Sequence, residues 1–65
     1  MEEKIVEAAN KLAFEIGVSV GTANRLVRAG FLTADGIKAA GLEQLLEIEK
    51  INVKEVTAAF DKLMQ

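Results

Sequence analysis

The chain has no cysteine, no histidine and no proline among its 65 residues. Without cysteine there is no disulfide. With neither cysteine nor histidine, thiolate and imidazole metal sites are excluded, and so are Ser-His and Cys-His catalysis. A Mg or Ca site made of carboxylates alone stays open to the chain, but no Asp-rich loop with a hinge glycine is present to point to one. No metal and no cofactor are therefore expected. No apolar run approaches the roughly 20 residues of a membrane span. Met1-Glu2-Glu3-Lys4 lacks the basic start and apolar stretch of a secretory signal. The expectation is a soluble, cytoplasmic domain with no membrane partner.

A chain this short makes one domain and buries only about 60% of the surface its unfolded form exposes. The 51% hydrophobic content overstates the core, because ten of those residues are alanine; it reads better as helix propensity. Net charge is −2 and unevenly placed. Residues 1–30 balance Lys4, Lys11, Arg25 and Arg28 against Glu2, Glu3, Glu7 and Glu15, and the acidic excess lies in residues 31–65. A free-standing nucleic-acid binder is expected to be basic, because phosphate neutralisation supplies most of its affinity. This balance speaks against DNA without forbidding it.

With proline absent, glycines and small polar residues divide the chain. Ile5, Ala9, Leu12 and Ile16 recur at the spacing of one buried helix face, predicting a first helix over 2–15 that Gly17 ends. Ser19 then caps a second helix from Val20 to Ala29, with Ala23, Leu26 and Val27 inward. Gly30 closes it, and Phe31-Leu32 is expected to drop into the core. Thr33 caps a short third helix, Ala34 to Ala40, with Ile37 inward. Gly41 precedes a fourth, Leu42 to about Ile48, that buries Leu42, Leu45 and Leu46. Asn52-Val53-Lys54-Glu55 fits a capping box, in which Asn52 takes the Glu55 amide and Glu55 reaches back to that of Asn52. The fifth helix follows, with Val56, Ala59, Phe60 and Leu63 inward. Phe14 falls opposite the buried face of the first helix. Either the helix end bends so that Phe14 packs on the last helix, or it is an exposed aromatic anchor; the first is the expectation.

Five short helices with short connections and no period-2 segment give a compact all-α domain. Within it lies a half-repeat. Gly17-Val18-Ser19-Val20-Gly21-Thr22-Ala23 returns thirty-three residues on as Lys50-Ile51-Asn52-Val53-Lys54-Glu55-Val56. Each reads as apolar, small polar, valine, then the first turn of a helix, which is how tandem helix-hairpin-helix units look. Hairpins that hold DNA have the form apolar-Gly-apolar-Gly, because bare backbone lets a phosphate approach the amides at the next helix start. Here Ser19 stands for the second glycine of the first hairpin, and Lys50 and Asn52 replace both in the second. Arg25 and Arg28 lie three apart on the outer side of the second helix, where they read as a solvated face singly and as contacts for phosphate or carboxylates together. Glu43, Glu47 and Glu49 read first as solvated surface and also as contacts for a basic partner. No nucleophile has a base available, so no enzymatic activity is expected.

Ala23-x-x-Leu26-Val27-x-x-Gly30-Phe31-x-Thr33, followed by Glu43-x-Leu45-Leu46-Glu47-Ile48-Glu49 and a helix from Asn52, resembles the C-terminal acidic repeats of the bacterial transcription factor NusA. The resemblance covers residues 16–63. It implies a five-helix tandem helix-hairpin-helix (SAM-like) fold, a module of a larger transcription factor, and a protein-docking role in elongation, termination or antitermination. The partners it implies are the RNA polymerase α C-terminal domain, a NusG-like factor or a phage antitermination protein. Val18, Ser19, Val20, Arg25, Arg28, Lys50, Asn52 and Lys54 are the partner-binding candidates, on a monomer. The runner-up is a DNA-binding domain using Ser19, Arg25, Arg28 and Lys54 against phosphates. It resembles the α C-terminal domain itself, whose DNA-contacting region Ser19-Val20-x-x-Ala23-Asn24-x-Leu26 is similar to. A purely architectural domain is the third reading.

Overall fold

Apolar residues three and four apart, separated by small polar residues and glycines, give five helices in order: α1 Glu2–Ile16, α2 Val20–Arg28, α3 Ala34–Ala40, α4 Leu42–Leu46 and α5 Val53–Leu63. They belong to a computed structural model that describes residues 2–65. No strand occurs among the described residues. The radius of gyration is 10.4 Å, close to the roughly 10.7 Å expected of a folded chain this long.

The expected caps form. Gly17 takes φ +75°, and the amides of Gly17 and Val18 both donate to the Ala13 carbonyl, at 2.9 and 3.1 Å, which ends α1. The left-handed turn costs glycine little because it has no Cβ. Thr33 Oγ1 accepts the Gly36 amide at 3.0 Å and starts α3. The Ala34 amide, one of the donors a helix start leaves without an intrahelical partner, goes to Glu15 Oε1 at 3.0 Å. That bond ties the end of α1 to the start of α3.

Leu12, Leu26, Ile37 and Leu45, one from each of the first four helices, are the largest fully buried side chains. Truncating one of them to alanine costs about 2–5 kcal/mol. Ala9 and Ala23 are also fully buried, and small side chains there let α1 and α2, the most extensively packed pair, lie close. Val56 and Ala59 of α5 close the core from the other side, with Ile5, Phe31, Leu42, Phe60 and Leu63 half-buried against it.

Three side chains do not go where the pattern put them. Phe14 is 93% exposed. Its helix continues unbroken to Ile16, so no bend turns it toward α5 and it stays on the outer face. Leu32 is 57% exposed: the Phe31 amide bonds the Leu26 carbonyl and draws Phe31 alone inward, and the next side chain points away. Leu46 is 36% exposed, because a five-residue helix offers the core little more than the Leu42–Leu45 line. That helix also stops two residues before the expected Ile48, and α2 stops at Arg28 with Ala29 as its cap. No helix among the described residues is long and apolar enough to cross a membrane.

Candidate functional site

The half-repeat is present in the backbone. At the α1–α2 junction Gly17 has φ +75° and Ser19 caps the helix that begins at Val20. At the α4–α5 junction Lys50 has φ +60° and Asn52 caps the helix that begins at Val53. Ser19 Oγ accepts the Thr22 amide at 3.3 Å, and Asn52 Oδ1 accepts the Glu55 amide at 3.0 Å. Between turn and cap, Val18 and Ile51 face the core, while Val20 and Val53 stay exposed. The chain thus makes one turn twice, with glycine at its left-handed position the first time and lysine the second.

A tertiary bond joins the two junctions. The Ser19 amide donates to both Glu55 carboxylate oxygens, at 3.2 and 3.4 Å, and the Ser19 hydroxyl donates to Oε1 at 3.0 Å. Glu55 was expected to return to the Asn52 amide. The amide and hydroxyl at the start of α2 offer it two donors and the positive end of a helix dipole instead. The Ser19 hydroxyl has one proton to give. With it directed to Glu55, the Thr22 hydroxyl, 3.1 Å from Ser19 Oγ, is left to donate in turn. The Thr22 hydroxyl first and the Ser19 hydroxyl second hold the Glu55 carboxyl below its usual range; burial pushes back less strongly, and the Ser19 amide adds the smallest pull downward. Thr22 is the one buried polar residue of the described core, and no buried side-chain polar atom among the described residues lacks a partner.

Beside this junction lies a groove of about 430 Å³ lined by both N-cap residues, Ser19 and Asn52, and by the cations Arg25, Arg28 and Lys50. Gly21, Thr22 and Asn24 complete the lining, which contains no carboxylate. Asn24 Oδ1 accepts from Arg28 Nε at 3.0 Å, which holds the guanidinium along the helix surface. A smaller hollow of about 250 Å³ shares Arg25 and Arg28 and adds Ala29, Ile48 and Glu49. Glu49 is thus the one member of the glutamate cluster beside the arginines. Among the described residues no three acidic side chains gather to hold a metal ion.

Five of the eight sequence candidates, Ser19, Arg25, Arg28, Lys50 and Asn52, therefore share one groove. Val18 faces the core, and Val20 and Lys54 are exposed at helix starts outside the lining. Gly21 and Thr22 were not singled out in the sequence, and Asn24 entered only through the resemblance to the DNA-contacting region of the α C-terminal domain. Their signal is periodicity: Gly21, Asn24, Arg25 and Arg28 follow the i, i+3, i+4, i+7 spacing of one polar helix face. Comparison with known protein families, with curated proteins and with solved structures finds no match to the chain.

Proposed function

We propose that the chain is a noncatalytic docking module of a NusA-like bacterial transcription factor, with a tandem helix-hairpin-helix (SAM-like) fold. Its work is reversible recognition of another cytoplasmic transcription protein, first the RNA polymerase α C-terminal domain and second a NusG-like factor. The observation that carries this reading is the pair of bonds that Ser19 donates to the Glu55 carboxylate. A phosphate-holding hairpin needs bare backbone and a free amide at its helix start. Here the Glu55 carboxylate takes the Ser19 amide and sets negative charge at that helix start, where a phosphate would have to sit, while Arg25, Arg28 and Lys50 stand in the groove beside it. Local positive charge on a chain of net charge −2 suits a discrete protein patch better than a phosphate track.

The test is a backbone NMR titration of the labelled chain with the α C-terminal domain. Shifts concentrated at residues 17–28 and 50–56 support the reading, and silence at high partner concentration sinks that pairing. The three cations favour one other reading, DNA-backbone binding. It predicts affinity for duplex DNA at low salt that falls steeply as salt rises.

A further inference from the structure

Lys50 stands in a conformation that its residue type disfavours. Its φ of +60° is the one positive value at a non-glycine residue of the described chain, and the equivalent position of the first junction is glycine. A left-handed backbone strains any residue with a Cβ, and glycine removes that strain. Strain of this kind persists where the surroundings hold it and collects at functional positions. What lysine brings that glycine cannot is a long cationic side chain, and Lys50 lines the groove with Arg25 and Arg28.

We propose that the groove receives an acidic segment of a partner protein, and that Lys50 is its specificity-determining residue, whose charge completes a three-cation lining for carboxylates. The inference rests on the docking reading above and names the chemistry of what docks. Charge complementarity commits the occupant: the groove lining carries three cations and no carboxylate on a chain of net charge −2, with Glu49 and Glu55 at its margins leaving a net positive patch large enough for only a few carboxylates. The molecule itself supplies an example at the neighbouring junction, where a glutamate side chain approaches from another helix and takes the Ser19 amide and hydroxyl. A nucleic acid gains affinity by neutralising many phosphates in succession. Beyond these three cations it would meet the acidic excess of residues 31–65 and the Glu55 carboxylate. Two or three carboxylates on a peptide need only the local charge. Arginine serves them well because its planar fork pairs with both carboxylate oxygens.

The experiment uses the whole labelled chain and three probes at low salt: a short polyglutamate peptide, polyglutamine of the same length, and a short DNA duplex. Polyglutamate is expected to shift the amides of residues 24–28 and 50–52, and polyglutamine to leave them unmoved. Lys50→Gly is expected to weaken polyglutamate about threefold while raising Tm by about 4 °C. Lys50→Arg keeps the affinity and gains no Tm. Unchanged affinity in Lys50→Gly overturns the role of Lys50, and a lower Tm in that variant overturns the strain argument. Tighter binding of duplex than of polyglutamate overturns the acidic-segment proposal in favour of nucleic acid. Polyglutamate binding in the groove with no response to the α C-terminal domain supports this inference and sinks that partner. Binding of that domain at another surface does the reverse.

Discussion

The two junctions share one backbone plan and use it differently. At the first, glycine takes the left-handed position without strain, serine caps the next helix, and Glu55 covers the exposed amide and hydroxyl. At the second, lysine takes the left-handed position and asparagine caps the helix, with its Oδ1 on the Glu55 amide. Glu55 serves both: its carboxylate takes the Ser19 amide across thirty-six residues, and its own amide donates to Asn52 Oδ1 three residues away. The difference teaches that a repeated turn need not mean a repeated function. The two copies are joined through Glu55 and together line one groove, and they differ in that the second places a cation at the strained left-handed position.

The comparison can be broken most forcefully at the caps. Ser19→Ala removes the N-cap acceptor and a donor to Glu55 together, whereas Asn52→Ala removes a cap alone. A lost cap costs about 1 kcal/mol, so Asn52→Ala is expected near that value and Ser19→Ala clearly above it in urea unfolding. Equal losses would mean that the Glu55 contact adds nothing. Next in size is Gly17→Lys, which gives the first junction the residue of the second. Nothing lies within 4 Å of a Cβ built there, so the cost is backbone strain alone, about 1 kcal/mol by the left-handed penalty. Thermal unfolding measures it.

The acid limb of stability sharpens the comparison further. The Glu55 carboxyl titrates lower in the folded chain than its usual value of 4.5, so folding favours its ionised form. Its contribution is complete above the unfolded pKa and is lost as pH falls through the folded one. Tm is expected to drop below about pH 4.5, and Glu55→Gln to remove part of that drop while lowering Tm at neutral pH. An identical pH profile in the variant would show that Glu55 is not among the groups responsible. The smallest effect is expected at Phe14, which is 93% exposed. Phe14→Ser should change stability by less than about 0.5 kcal/mol, where a packed phenylalanine would cost several.

Helix caps and helix ends were readable in the sequence because each needs a partner only within one turn. Ser19, Thr33 and Asn52 as caps and Gly17 as a helix end follow from short-range donors, acceptors and backbone freedom. The buried stripe of α1 follows from spacing, and the groove's cations were singled out as charged residues beside the turns. What spacing could not carry was competition at longer range. Glu55 had a local acceptor role written into its capping pattern, yet a better pair of donors on Ser19 takes its carboxylate. Leu32 and Leu46 were assigned by hydrophobicity, and the room left by short elements decided against them. Spacing puts Gly21 and Asn24 on one helix face with Arg25 and Arg28, but that this face meets Lys50 and Asn52, and that Thr22 joins the lining, emerges only from the fold.

The most direct test replaces both Arg25 and Arg28 with glutamate and repeats the titration with the RNA polymerase α C-terminal domain. Both arginines are exposed, so the account predicts a spectrum of unchanged dispersion, a Tm close to that of the parent chain, and no partner-induced shifts at residues 17–28 or 50–56. Undiminished binding by that folded double variant would contradict the account, because the groove would then have lost its arginines without losing its partner.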